Sequence, residues 1–278
     1  DFDLTDGSAT AGDYSSDPAD LIFSDGVTYD PVAGTITVPA GVTGFTVSYP
    51  TSNDTILENN ETTTLAIGGV VGTGTINDAG DAIPEISIEA TTDSAIEGST
   101  DTLVFAISQT GATDKDSSVT ATLTLGDIDA GDIDSITFTD ADGTQTISVA
   151  DALAGISVTI PAGSTANPFF TITPNDDAIY EVSEGFGMSI SNALNATIGT
   201  ASDSAVITDN TDPNGPIGNT DGDKPTLSVG NASATEGDDL VHQVTVNGVT
   251  EADVTYDFAL TDGSATAGDY SSDPADLI

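Results

Sequence analysis

Two stretches carry carboxylates in the same pattern. Residues 53–61 read NDTILENNE and residues 175–184 read NDDAIYEVSE, so in each an acidic pair E-x-x-E follows one or two Asp. A hard divalent cation the size of calcium takes about six to eight oxygen ligands, and carboxylates from several loops are the usual source. Two carboxylates about 5 Å apart repel by roughly 3 kcal/mol at an effective dielectric of about 20. Several such pairs would consume much of a domain's stability of about 5–15 kcal/mol, and side chains with a pKa near 4 are all ionised at neutral pH. A cation removes the repulsion and adds its binding energy to folding. The bland alternative is solvated loop charge in a chain that is acidic everywhere.

Other chemistry fares worse. The chain has no Cys and a single His, which excludes zinc sites. That residue, His242, lies in the alternating run 241–246 (VHQVTV) and is expected to face solvent rather than serve a Ser-His-Asp site. Paired carboxylates would suit a glycosidase by residue type, but there is no Trp and only 5% aromatic residues to line a sugar cleft. The expectation is therefore a chain that is not an enzyme. Residues 140–143 (DADG) and 221–223 (DGD) resemble fragments of calcium loops without the closing Glu, and Asp142–Gly143 reads as a hairpin turn. Sequons at Asn53, Asn60, Asn195 and Asn231 are near the chance number in a chain this rich in Ser and Thr.

The elements that must position these carboxylates are strands. Thr, Val, Ile and Ser dominate the apolar runs, and Gly, Asp and Asn punctuate them every eight to twelve residues or so, the pattern of an all-β sandwich. Expected strands cover 35–38, 45–49, 63–67 and 72–76, then 85–88, 103–107, 119–125, 156–160, 169–172, 187–190 and 205–207. A third series covers 226–229, 241–246 and 254–260, and 147–153 has room for one helical turn. Forty-six acidic residues stand against two basic ones, Lys115 and Lys224, a formal charge of −44. Such a surface excludes non-specific binding to nucleic acid or anionic membranes. Regular apolar spacing and a 37% hydrophobic fraction argue against disorder. No apolar run is long enough to span a bilayer, and without disulfides, packing and metal ions are left as stabilisers.

The chain is also a repeat. Residues 1–22 recur as 257–278 with one change, Asp3 to Ala259, an offset of 257 − 1 = 256 residues. Asp3 lies between Phe2 and Leu4 and is expected to face solvent. Openings recur as PEISI at Pro84 and PTLSV at Pro225, followed by AIEG at Ala95 and ATEG at Ala234. The expected organisation is the later part of a domain A over 1–80, a complete domain B over 84–210, an acidic Pro/Gly linker over 211–224, and the first part of the next domain A over 225–278. The two partial domains are expected to belong to a continuous filament or to be completed by strands lent between subunits.

Joined across the repeat, domain A resembles the Calx-beta domain, the sandwich of sodium–calcium exchangers and many bacterial surface proteins. The resemblance rests on TDGSATAGDY (5–14, and again from Thr261), PAGVT (39–43), the acidic segment 53–61 and TIND (75–78). Domain B resembles it through Glu97–Gly98, NDDAIYEVSE and VITD (206–209), but carries GDIDAGDID (126–134) and an added hairpin over 139–146 in its centre. The resemblance implies tandem Calx-beta, immunoglobulin-like antiparallel sandwiches that bind Ca2+. It implies ligands Glu236, Asp269 or its twin Asp13, Asp54, Glu58, Glu61 and Asp78 in domain A. In domain B it implies Glu97, Asp132, Asp176, Asp177, Glu181, Glu184 and Asp209. Both sets fall near a domain junction, where an ion would stiffen the joint.

In acidity, lack of Cys and richness in Thr, Asp and Gly the chain is similar to giant RTX-type bacterial adhesins. The function expected from this is a secreted, cell-surface stalk or filament whose partners are neighbouring copies of the repeat and other surface or matrix components. It would contact no nucleic acid and insert in no membrane. The alternatives are a carbohydrate- or protein-binding module and an exchanger-like regulatory domain, the latter disfavoured by the long repeat.

Overall fold

A computed structural model of the chain describes residues 1–209, 224–266 and 268–271. Residues 211–223 of the linker 211–224, with the DGD fragment at 221–223, and the last residues of the repeated segment lie outside them.

Residues 85–209 form a sandwich of two sheets. One orders the strands Gly143–Ile147, Ile133–Asp140, Phe169–Pro174, Leu103–Thr110, Glu85–Thr92 and Thr197–Ile198; the other orders Ile156–Ile160, Ser117–Thr124, Glu184–Leu194, Ser202–Thr208 and Ser94–Ile96. Alternation along the central strands sends every second residue inward. Leu103, Phe105 and Ile107 are buried from one sheet, and Val119, Ala121, Leu123, Phe186, Met188 and Ile190 from the other. Phe138 and Phe170 meet in a tilted pair 4.7 Å apart between centroids, and Phe105 meets Phe186 edge-on at 5.9 Å. The expected helical turn is the short helix Val149–Ala154, capped by Ser148, whose Oγ accepts the Asp151 N–H at 3.0 Å. Ser148→Ala should cost about 1 kcal/mol, readable as a small shift of the urea midpoint at constant slope. The expected hairpin joins Ile133–Asp140 to Gly143–Ile147, with Asp140 opposite Gly143.

Residues 1–78 form a smaller, open arrangement. Phe2–Asp6, Glu61–Ile67 and Val70–Ile76 make a three-stranded sheet, beside the pairs Ile22–Phe23 with Val47–Ser48 and Thr28–Asp30 with Thr35–Thr37. Asp3 is exposed between Phe2 and Leu4, as the alternation requires. Phe2, Phe23 and Tyr29 stack on one another.

Among the described residues after 224, fewer form strands than the alternation predicts. Thr226–Val229 pairs with Val244–Asn247, a strand displaced toward the C-terminus from the expected 241–246, and all eight residues are exposed. His242 is exposed just before that strand, its Nδ1 2.8 Å from the Gly230 carbonyl. Residues 254–260 do not form the expected strand. Among the described residues, no strand after 224 pairs with one before 79; the segment after 224 instead touches the sandwich, through Val249–Thr250 running parallel to Ile179–Tyr180.

Two candidate metal centres

The sandwich brings carboxylates together at one end of its two sheets. Ser94–Ile96 and Ser202–Thr208 run parallel, Ile96 opposite Thr208, so the residues that follow, Glu97 and Asp209, leave the sheet side by side. The Glu97 N–H donates to the Thr208 carbonyl at 3.1 Å, and Gly98, with φ +63°, turns the chain away. Glu181 lies between Ile179–Tyr180 and Glu184–Leu194, and its N–H donates to Asp209 Oδ2 at 2.9 Å. Asp132 precedes Ile133–Asp140; its Oδ2 accepts the Asp129 N–H at 2.6 Å and its carbonyl accepts the Asn175 N–H at 2.8 Å.

Carboxylate oxygens of Glu97, Asp132 and Glu181 all lie within 4.8 Å of one another. The three are 5%, 6% and 4% exposed, and Asp209 beside them is 3% exposed. At 4.8 Å each ionised pair costs about 3 kcal/mol at an effective dielectric of about 20, and burial adds several kcal/mol for each unpaired ion. Neither lysine forms an ion pair among the described residues, so two neutralisers remain, protons or a metal cation. Burial, then the charges of Glu181 and Asp177, push Glu97 up to about 8. Glu181 is pushed up to about 8 by burial and by Asp132, and Glu184 to about 7 by the same two causes. Burial also raises Asp132, against the lowering by the Asp129 N–H.

A second cluster lies on residues 1–78. Oxygens of Asp13, Glu58 and Glu61 fall within 4.8 Å of one another, half-buried. Asp54, Asp78 and Asp81 line the same open cleft of about 120 Å³. The N–H and hydroxyl of Thr10 donate to Asp13 Oδ2 at 2.6 and 2.8 Å and hold this acid below the usual range. Glu61 is pushed up to about 7 by burial and by the Asp13 carboxylate.

The two centres have the same wiring. Thr10 N–H to Asp13 corresponds to Asp129 N–H to Asp132. The Ile56 N–H donates to Asp54 as the Ile179 N–H does to Asp177, both at 2.8 Å. The Glu58 N–H donates to Asp78, at 3.4 Å, as that of Glu181 does to Asp209. The divergent GDIDAGDID segment therefore presents Asp132 in the same turn as the TDGSATAGDY segment presents Asp13.

Of the residues read from sequence, Asp13, Glu58 and Glu61 form one cluster with Asp54 and Asp78 at its rim. Glu97, Asp132 and Glu181 form the other, with Asp209 bonded to it, Glu184 and Asp177 half-buried nearby, and Asp176 exposed. Glu236 and Asp269 are exposed and belong to neither. Sequence reasoning missed Asp81, Asp114 and Glu251. Asp114 raises Glu58 and Glu61, while Glu251 raises Asp132, Glu181 and Glu184. Both come from the neighbouring domain, and no spacing within one domain could point to them.

In a metal-chelating buffer the raised acids fix the sign of the pH dependence. Their folded pKa values exceed the unfolded value of 4.5, so the folded chain binds more protons between about pH 4.5 and 8. Their contribution is full below 4.5 and lost as pH rises through 8. Thermal melts should show Tm falling by several degrees, about 5 °C or more, from pH 5 to pH 8.5.

The Calx-beta domain family matches residues 1–28, 24–75, 100–212 and 219–278. The chain belongs to the Calx-beta family. No curated protein sequence matches it. Among solved structures it is similar to the apo-form Calx CBD1 domain, with 14% identity over 46% of this chain and 98% of that one and a TM-score of 0.34. It is similar to the calcium binding domain CBD12 of CALX1.1, with 14% identity over 45% and 44% and a TM-score of 0.31. A beta-glycosidase from Bacteroides vulgatus matches at 8% identity over 68% of this chain and 21% of that one, with a TM-score of 0.29. Such distant superpositions carry no functional argument, and membership of the Calx-beta family rests on the sequence match. No helix among the described residues is long and apolar enough to cross a membrane.

Proposed function

We propose that this chain is part of a long extracellular stalk or surface filament of tandem Calx-beta domains, stiffened by Ca2+ at the two centres. The observation that carries the reading is the group Glu97, Asp132 and Glu181, buried together at the end of the sandwich without a basic partner. Oxygen-only donors from separate loops suit calcium, which tolerates irregular geometry and several carboxylates, better than magnesium, which keeps its waters. Glu97, Asp132, Glu181 and Asp209 would hold an ion in the sandwich; Asp13, Glu58 and Glu61, with Asp54 and Asp78, would hold one in residues 1–78. The ion's role there is electrostatic and structural: it replaces protons and draws together loops that otherwise repel. Absence of a catalytic function follows from the same reading, since every clustered carboxylate is used for the ion.

The deciding experiment is calorimetric titration of the chain with Ca2+ in moderate salt, together with small-angle scattering with and without chelator. Micromolar uptake with proton release, and a longer, narrower particle in calcium, are expected. No uptake, with unchanged dimensions, would defeat the reading.

A further inference from the structure

The two places where one domain meets the next are built alike. At the first, Leu57 bridges Thr113 in parallel sense; at the second, Tyr180 pairs with Thr250 in parallel sense. The Leu57 carbonyl accepts the Asp114 N–H at 3.1 Å and the Thr113 hydroxyl at 2.9 Å. The Tyr180 carbonyl accepts the Glu251 N–H at 3.1 Å and the Thr250 hydroxyl at 3.2 Å. Each threonine hydroxyl also accepts an N–H two residues on, from Lys115 at 2.9 Å and Ala252 at 3.1 Å. Each loop opens with a glycine at positive φ, Gly111 at +97° and Gly248 at +127°. A Cβ there would stand 3.2 Å from Pro84 Cα and 3.1 Å from Pro225 Cα respectively. The docking loops thus read G-x-T-D and G-x-T-E, and the segments receiving them read I-L-E-x-x-E and I-Y-E-x-x-E. The residues following the bridged Leu57 and Tyr180 are Glu58 and Glu181, members of the two clusters.

We propose that the G-x-T-[D/E] loop of each domain docks on the preceding domain's I-[L/Y]-E-x-x-E segment, and that Glu251 is thereby supplied across the joint as a further ligand of the sandwich's cation centre. The centre is divided between two domains and closes only when they are docked. The docking half of this stands on the backbone pairing and the threonine hydrogen bonds alone; the ligand half rests on the calcium reading. A neutraliser is called for at that centre independently of Glu251, because the side chains of Glu97 and Glu181 are more than nine-tenths buried, converge on Asp132, and accept no hydrogen bond there among the described contacts; on the calcium reading that neutraliser is the cation. Asp114 holds the corresponding position at the other joint. Since the period returns after 256 residues (257 − 1), the same two joints would alternate along an array.

The test uses the whole chain. Its lack of cysteine lets two spin labels be placed uniquely, at Thr144→Cys on the sandwich and Val229→Cys beyond the joint, both exposed. Calcium titration of Glu251→Gln should show about tenfold weaker binding at one centre, the other unchanged. Asp253→Asn, which removes an equally exposed charge two residues away, should change it less than twofold. The label distance should be narrow in calcium and broaden in Glu251→Gln, in Thr250→Val and in chelator. If wild-type chain takes up calcium but Glu251→Gln leaves affinity and distance width unchanged, the divided centre is wrong and the stalk reading survives. If Asp253→Asn weakens binding as much as Glu251→Gln, the effect is diffuse charge and the ligand assignment fails. If wild-type chain takes up no calcium, the stalk reading itself fails, and an unaltered distance in Thr250→Val would then remove the docking as well.

Discussion

Chelating calcium should lower the melting temperature of the 85–209 sandwich by about 10–20 °C. A ligand that binds only the folded state at a thousand times its dissociation constant stabilises by about 4 kcal/mol. For a domain of this size each kcal/mol moves Tm by about 3–6 °C. The loss is large because removal of the ion restores repulsion among Glu97, Asp132 and Glu181, and those groups then recruit protons to relieve it. The calcium-loaded chain should therefore lose stability on acidification while the chelated chain gains it, and the two melting curves should converge toward pH 5. Scanning calorimetry over a pH series checks both slopes, and parallel slopes would show that ion and protons do not compete for the same groups.

The second large effect is a reversal of sign at Glu181. Glu181→Gln keeps the shape of the side chain and removes the charge, so calcium affinity at this centre should fall about a hundredfold, equivalent to about 2.7 kcal/mol. In chelator at pH 9 the same variant should melt several degrees, about 3–6 °C per kcal/mol, above the wild type, whose Glu181 is then ionised among like charges. At pH 6, where the wild-type carboxyl is protonated because its pKa is pushed up to about 8, the two should melt together. A residue kept only for packing would destabilise under all three conditions, so paired melts of the variant separate the roles.

The all-β class, the core strands of the sandwich and the short helix were legible in the sequence because alternation and Gly/Asp punctuation are local signals. Residues that nearly repeat one another mark where such signals end. Phe2–Asp6 is a strand, laid against Glu61–Ile67 with Phe2 opposite Ile67 and 8% exposed. Its twin at 258–262 pairs with no strand among the described residues, and Phe258 is 75% exposed. Alternation states a preference, and a ladder needs a partner to satisfy its N–H and C=O groups; the expected strand over 254–260 has none among the described residues. The short turn survives without a ladder: Thr266 N–H bonds Asp269 at 2.9 Å and Tyr270 bonds Asp262, as Thr10 bonds Asp13 and Tyr14 bonds Asp6. Candidate ligands behave the same way. Asp132 could be read from A-G-D because its turn is local. Glu236 and Asp269 could not be placed with Glu58 and Glu61 by resemblance alone, since that requires one sandwich to contain them all. Asp114 and Glu251 could not be found, because only the joint gives them a role.

The parallel pairing of Ser94–Ile96 with Ser202–Thr208 has a mechanical consequence. In a chain under tension the early strand of the sandwich is drawn toward its N-terminus and the late strand toward its C-terminus. Two parallel strands pulled this way slide past each other, so the N–H···O bonds between them share the load instead of parting one after another as in a hairpin opened from its end. Glu97 and Asp209 sit at the tips of these two strands. An ion held between them would pin the sliding pair at the place where slip has to begin.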